Sequence, residues 1–361
     1  MQACLLKGYG GHQAWNRWRA QAQLPISSGL HRLLPAVYWN LRDAVSKDHW
    51  LDMGKAEYLR ARYRNLLQFD DAAPLMGDLK RAGIDVLLLK GAALVAAHYP
   101  DPGLRPMVDL DVLVRPTDVE RTIAALAGRG YEPAVSVDQT ARAFAHSAPF
   151  AREGAVPIDL HWRSVEGDAE DEAFWERAVD VRFSGVDIRV PSPADLLLNA
   201  CIQGQRWDWD APQRWVLDAM TVVRSSGARL DWSRLIERAR ARRAASSARD
   251  ALDYLRATFE ADIPQRVLAT LATARVSVSE RLADRARRVR PDLRGPVLIG
   301  ALRLDDYRRL ARSGAVTPGP IGLLEVWRRA WNLDHFWQLP PQAARRGARR
   351  LWQMLRHRLK R

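Results

Sequence analysis

The sequence predicts an α+β fold, with a small mixed-sheet α/β core flanked by an N-terminal helical segment and a larger C-terminal helical region. Three observations carry that expectation. Apolar residues recur at three-to-four spacing across residues 12–69 and again, almost without a break, from Ala194 onward. Between these stretches lie short apolar or alternating runs at 86–89, 109–114, 156–162 and 186–190, which have the length of strands. Turn-forming residues separate the runs: Lys90-Gly91, the loop holding Pro100, Pro102, Gly103 and Pro106, Gly154, and Pro191-Ser192-Pro193. The expected organisation is a helical segment over 1–71, the α/β core over 72–190, a helical domain over 191–338 and a basic amphipathic helix over 339–361.

In chain order, Leu30, Leu33, Leu34, Val37, Tyr38 and Leu41 keep helical spacing, with Pro35 at an N-terminal turn or an interruption. A second helical pattern covers 55–69, and a separate helix over 72–81 ends at Gly83 before the first strand. Trp15, Trp18 and Trp39 read as packing residues. After the strand at 109–114, Thr117 is expected to cap a helix over 119–127, with Glu120 completing a capping box. Two extended segments lie between Ala141 and Trp162, joined by the turn at 152–155. Helical patterns then fill 194–205, 212–225, 232–243 and 245–259, with weaker ones at 264–275, 278–289, 296–312 and 320–337. In the tail, Arg345, Arg346, Arg349, Arg350, Arg356, Arg358, Lys360 and Arg361 surround Leu351, Trp352, Leu355 and Leu359. Such a helix suits a solvated cap, an anionic membrane surface or an acidic partner.

At 361 residues and 47% hydrophobic content the chain can bury a sizeable core. Cys4 and Cys201 are its only cysteines, which excludes a disulfide framework and a cysteine-rich zinc site. No apolar run has transmembrane length, and the opening MQACLLKGYGGHQAW lacks signal-peptide architecture, so the expected location is cytoplasmic. A net charge of +14 suits nucleic acid, an anionic surface or an enzyme that handles nucleotide phosphates.

The chemistry gathers in the core. On a strand, residues i and i+2 share a face, so Asp109 and Asp111 point the same way, as do Asp159 and His161. Like charges held this close need a cation between them. Hard divalent ions take carboxylate oxygens, and Mg²⁺ is commonly shared between protein carboxylates and substrate phosphates. Lys90-Gly91 follows a strand directly, where a glycine lets backbone approach a phosphate and a helix start favours anions. The expectation is a metal–nucleotide site with Asp109, Asp111 and Asp159 as metal ligands and catalytic carboxylates. Lys90, Gly91 and Arg105 stand on the phosphate side. Plainer readings exist for each residue alone: solvated strand-end aspartates, an Arg105 paired with Asp109 or Asp111, and an orienting His161. Arg214 and Asp218 have the spacing of a helix-surface pair. Trp207, Trp209 and Trp215 read as interhelical packing.

These motifs together resemble the uncharacterised nucleotidyltransferases of the polymerase-β-like superfamily, the nucleotidyltransferase-5 type. The resemblance rests on Leu89-Lys90-Gly91-Ala92-Ala93-Leu94, Tyr99, Arg105, Asp109-Leu110-Asp111-Val112-Leu113-Val114 and Ile158-Asp159-Leu160-His161-Trp162. It continues through Pro191-Ser192-Pro193-Ala194-Asp195-Leu196-Leu197 and Arg214-Trp215-Val216-Leu217-Asp218, and so spans about residues 30–225. It implies Mg²⁺ or Mn²⁺ as cofactor, an NTP (ATP expected) as donor, and Asp159 as the group that activates the acceptor hydroxyl. Members occur beside bacterial peptide-natural-product and polysaccharide pathways, which implies a small molecule, peptide or sugar as acceptor. Two departures stand out. Ala92 replaces the Ser or Gly common in the superfamily, and Gln203 stands where members often carry a histidine.

Two other functions fit parts of the sequence. One is a toxin-like tRNA nucleotidyltransferase, which the basic charge suits. The other is a non-catalytic RNA- or membrane-binding protein with a vestigial site. The complete Asp109, Asp111 and Asp159 set argues against the second, since a decayed site should have lost a carboxylate.

Overall fold

The N-terminal layer consists of α1 (Gln2–Leu5), α2 (Gly8–Arg19), α3 (Ser28–His31), α4 (Leu34–Leu41) and the long α5 (His49–Arg81) in a computed structural model. The structure describes residues 1–45, 48–164, 172–183, 185–204, 214–312 and 314–358. Trp207, Trp209, the first residues of the helix expected at 212, and the tail's Leu359, Lys360 and Arg361 lie outside them. The chain divides into two compact units, Met1–Ser277 with Arg287–Leu293, and Val278–Ala286 with Arg294–Arg361.

The helices expected at 55–69 and 72–81 are one element. α5 runs through Pro74, which has no amide hydrogen to donate to the Asp70 carbonyl one turn back. Leu75 and Leu79 are buried beyond the proline, so packing of this face against the core outweighs the lost bond. Asp48 starts the helix by accepting from the Trp50 and Leu51 amides. At the other end Gly83 takes a φ of +68°, and the Gly83 and Ile84 amides bond back to Lys80 and Leu79.

The core elements follow in order: β1 (Val86–Leu88), α6 (Lys90–Ala97), β2 (Leu110–Val114), α7 (Val119–Gly128), β3 (Glu132–Pro133), α8 (Gln139–Phe144), β4 (Ser147–Ala151), β5 (Ile158–His161), α9 (Glu172–Glu176), β6 (Val179–Phe183) and β7 (Val186–Val190). Thr117 does not cap α7. It lies in a 3₁₀ turn, Pro116–Asp118, and the capping position falls to Asp118 without a side-chain bond. The first extended segment expected after Ala141 starts later, because α8 occupies residues up to Phe144. Five strands form one sheet in the order β1-β2-β5-β4-β3, and β6 and β7 form a hairpin. β2 and β5 are parallel, while the other neighbours are antiparallel.

Strand parity divides the sheet's two faces. Leu110, Val112 and Val114 of β2 and Ile158 and Leu160 of β5 enter the main hydrophobic core. Leu113 enters a smaller cluster with Leu87, Leu89, Phe174 and Trp175. Asp111 has the parity of Leu113 and so turns away from the main core. α10 (Pro193–Gly204), α11 (Arg214–Ser226), α12 (Trp232–Ala241), α13 (Ala245–Phe259) and α14 (Gln265–Ala272) complete this core. Asp195, almost fully buried on α10, is held by Arg234 at 2.7 Å. Trp15 is buried, and its indole donates to Asp48 at 3.0 Å.

α15 (Val278–Arg288) is followed by α16 (Pro296–Arg312), α17 (Pro320–Ala330) and α18 (Leu339–Arg358). The second unit packs around Ala301, Val316, Val326 and Leu339. It holds 17 Lys and Arg against 6 Asp and Glu, a net +11 of the chain's +14. Glu325 on α17 accepts from Arg328 and Arg329, each at 2.6 Å. The Arg328 bond dominates, and against the opposing effect of burial it brings the Glu325 pKa down to about 2. A depressed carboxyl pKa gives stability that is full above the ordinary value of 4.5 and is lost as pH falls through about 2. An NMR titration should therefore find Glu325 still ionised at pH 3. Glu325→Gln should remove that acid-limb contribution to stability, and an ordinary Glu325 midpoint near 4.5 would contradict it.

Candidate active site

Leu89 ends the first strand in extended backbone, and Lys90 then adopts a φ of +43° as α6 begins. Left-handed backbone on a lysine costs about 1–3 kcal/mol, and such conformations concentrate at functional sites. The turn brings the Lys90 ammonium over β2, where Nζ donates to Asp111 Oδ1 at 2.6 Å and lies 3.8 Å from Asp159 Oδ2. In the parallel register Asp111 is paired directly with Asp159. Two positions on, His161 shares the face of Asp159, and its Nε2–H donates to Asp111 Oδ1 at 3.0 Å and to Asp159 Oδ2 at 2.9 Å. Ser147 on β4 donates to Asp159 at 3.3 Å.

This network sets the charges. Burial alone would raise the Asp111 pKa, but the His161 bond and the Lys90 charge outweigh it and bring it down to about 2. Asp159 is lowered for the same reasons. Burial would lower the His161 pKa, and the two carboxylates raise it instead. His161 is fully buried, and its Nδ1 has no hydrogen-bond partner among the described residues. A metal-bound imidazole normally donates its second N–H to an acceptor. The orphaned Nδ1 therefore identifies His161 as a donor that holds the two carboxylates together through Nε2. Asp109 lies just before β2 and stands outside the tight group of Asp111, Asp159 and His161. Burial, followed by the neighbouring Asp111 charge, raises its pKa.

Arg105 pairs with neither Asp109 nor Asp111. Its guanidinium forms a two-pronged bond with Asp218 of α11, at 2.8 and 3.0 Å, with both side chains buried. Tyr99 donates to the same carboxylate at 2.6 Å. The surface pair expected between Arg214 and Asp218 is thus absent, since Asp218 faces inward and is committed to Arg105 and Tyr99. Gly91 has a steric role here, because a Cβ would collide with the Arg105 guanidinium and crowd Met107. Ala92 is fully buried in the hydrophobic core and does not line the cleft. A serine hydroxyl at that position would face apolar neighbours, so the missing hydroxyl removes nothing from the cleft itself.

Asn65 on α5 fixes the loop that carries Arg105. Its amide donates to the Pro102 and Arg105 carbonyls at 2.7 and 2.9 Å and accepts from the Met107 amide at 3.3 Å. Asn65→Leu leaves these groups unpaired in the interior and should destabilise the chain by about 1–3 kcal/mol. Urea unfolding measures this, and a cost below a few tenths of a kcal/mol would contradict the role.

Lys90, Asp111, Arg105 and Asp218 open on a cleft of about 450 Å³. The sheet side contributes Lys90, Gly91, Asp109 and Asp111, the N-terminal helices contribute Arg32, Glu57 and Arg64, and α10 and α11 contribute Asn199, Gln203, Arg214 and Trp215. Gln203 thus faces the cleft. Of the residues expected from sequence, Lys90, Asp111 and Asp159 meet directly. Asp109, Gly91 and Arg105 line the same cleft, although Arg105 is engaged by Asp218. Asp218 was signalled by the spacing of a surface pair and by its place in the segment resembling the family, whereas strand parity already placed His161 beside Asp159.

Strand carboxylates side by side, next to a lysine at a strand-to-helix turn, are the parts of a site that handles nucleotide phosphates. Residues 27–260 match the family described as uncharacterised nucleotidyltransferase, and the chain belongs to that family. It is a nucleotidyltransferase. No curated protein matches the chain. Several solved structures are similar to it, among them two that follow. One is the antibiotic-resistance factor ANT(2'')-Ia, 14% identical, with a TM-score of 0.35 over 58% of this chain and 95% of that one. The other is an antigenic nucleotidyltransferase-like protein from Paracoccidioides brasiliensis, 14% identical, with a TM-score of 0.37 over 59% and 95%. No helix among the described residues is long and apolar enough to cross a membrane.

Proposed function

We propose that the chain moves an NMP group from an NTP, with ATP the expected donor, to an acceptor hydroxyl or phosphate and releases pyrophosphate, in a Mg²⁺- or Mn²⁺-dependent reaction. The observation that carries this reading is the pairing of Asp111 with Asp159 across parallel strands, with Lys90 already serving both as a cation. The donor set fits a hard divalent ion: carboxylate oxygens concentrated on one face, needing positive charge. Asp109, Asp111 and Asp159 would hold it, and when bound it neutralises phosphate charge and favours attack.

In this reading the acceptor oxygen attacks the α-phosphorus, the new P–O bond forms, and the bond to the pyrophosphate oxygen breaks. Asp159, more exposed than Asp111, takes the proton of an acceptor hydroxyl. His161 keeps the two carboxylates aligned, and Lys90 turns from them to phosphate oxygens. Gly91 leaves room for both the Arg105 guanidinium and the phosphates. The acceptor enters from the helical walls, and a small molecule, peptide or sugar fits there. The test follows pyrophosphate release from each NTP with Mg²⁺ or Mn²⁺ and candidate acceptors. Activity is expected in the wild type and should vanish in the Asp109→Asn, Asp111→Asn double variant, whereas survival in that variant sinks the assignment.

The location we propose is cytoplasmic. For partners beyond substrate, the net +11 of the second unit supports contact with a polyanionic surface, either membrane or nucleic acid. Binding to anionic vesicles or RNA that weakens with salt would support this contact, and binding to neither would remove it.

A further inference from the structure

We propose that the second compact unit docks on an anionic lipid surface, through the outer face of α17 and the 3₁₀ turn Phe336–Gln338 that follows it. The inference rests on the polyanionic contact proposed above, narrows it to one partner and stands apart from the transfer reaction.

α17 has two opposed sides. Gly322 and Val326 are buried on one. Ile321 and Leu324 lie on the other, 68% and 46% exposed, and Arg328 continues their stripe one turn on. The Arg328 guanidinium is held by Glu325, donates to the Leu333 and Asp334 carbonyls and stands 5.7 Å from the centre of the Phe336 ring. It thereby joins the end of the stripe to the turn, where Phe336 is 45% and Trp337 71% exposed. His335 closes that turn: its amide donates to Gln338 Oε1 at 2.9 Å, and its ring stacks with the Trp337 indole at 6.2 Å. The four apolar side chains therefore sit on elements bonded to one another.

Charge decides what covers them. The unit carries a net +11, and Arg345 and Arg346 are exposed on α18. Arg346 lies 5.3 Å from the centre of the Trp331 ring at the end of α17, so cationic groups border the apolar ones. A second copy of the chain would bring two such charges together, which is unfavourable. Nucleic acid pairs with the cations and stacks on aromatic rings, but gives Ile321 and Leu324 no apolar medium to enter. An anionic bilayer supplies both. Its headgroups attract the arginines, its acyl boundary accepts the aliphatic side chains, and tryptophan settles at the headgroup level between them.

Flotation of the full chain with vesicles tests this. Wild type should bind vesicles of phosphatidylcholine with phosphatidylglycerol and bind phosphatidylcholine alone far more weakly. Part of the binding should survive raised salt, which screens charge but leaves apolar burial in place. Ile321→Ser with Trp337→Ser should weaken binding to the anionic vesicles by about 10-fold or more and abolish the salt-resistant part. Ile321→Leu with Trp337→Phe, which keeps the surface apolar, should bind much as wild type does. Equal affinity in wild type and the serine variant overturns the proposal. So does equal loss in the conservative variant when circular dichroism shows both variants folded.

Other outcomes separate this surface from the broader readings. Binding to a labelled single-stranded RNA, with none to anionic vesicles, keeps the polyanionic contact and overturns the lipid surface. A dimer in sedimentation that the serine variant abolishes, with no vesicle binding, gives the face to a second copy and overturns it too. Binding to neither vesicles nor RNA removes both readings. Serine-sensitive vesicle binding by a chain without transfer activity would keep this surface and remove the nucleotidyl-transfer reading.

Discussion

Asp159→Asn should lower kcat by about 10²–10⁴-fold, the range expected for loss of a positioned proton acceptor, while the KM for the NTP changes far less. Asn preserves the shape of the carboxylate and can still accept from His161 Nε2 and Ser147 Oγ, so the strand pairing survives. What disappears is the negative charge proposed to take the acceptor's proton and the share of Lys90 attraction that Asp159 exerts from 3.8 Å. The measurement is steady-state pyrophosphate release with a saturating acceptor, accompanied by a thermal melt to show that the variant is folded. A kcat within tenfold of wild type would remove Asp159 from the chemistry and leave it a structural partner of His161.

Asp218→Asn should cost about 3–5 kcal/mol of stability, because Arg105 is then left buried without its counter-charge. Both side chains are under a tenth exposed, and the pair is met by two hydrogen bonds and by Tyr99. Burial would raise the Asp218 pKa, and the Arg105 charge outweighs it and holds it low, which ties the carboxylate to its ionised form. Replacing both partners, Arg105→Met with Asp218→Leu, should recover much of the loss, since an apolar pair of similar volume no longer pays for desolvating two charges. Urea unfolding of the three variants decides this. A single substitution costing less than 1 kcal/mol would show that the pair is solvated or replaceable. Activity should fall even in the stable double variant, because Arg105 lies against Gly91 at the start of α6, the helix proposed to face the phosphates.

Much of this site can be read in the sequence, for identifiable reasons. Alternation around Asp111 and around Asp159-Leu160-His161 states which side chains share a face, and parity survives whatever the strands pair with. Lys90-Gly91 marks a strand-to-helix turn because an apolar run stops there and small residues follow. Local rules misled where packing overrode them. Pro74 suggests a helix boundary, yet burial of Leu75 and Leu79 carries α5 through it. Thr117 and Glu120 have the spacing of a capping box, but the chain takes a 3₁₀ turn there and the capping position falls to Asp118.

The sequence by itself determined the α+β character of the fold, the strand faces that carry Asp111, Asp159 and His161, and the family to which the chain belongs. The tertiary structure decided the partners. Asp111 meets Asp159 only because β2 and β5 pair in parallel with that register. Arg105 meets Asp218 across 113 residues of chain, and Asn65 reaches the Arg105 carbonyl across 40. Periodicity records which side of an element is buried and carries no information about what lies opposite it. Opposition is settled by how the helices and sheet close around one shared core. That closure turned Arg105 from a free phosphate contact into half of a buried ion pair.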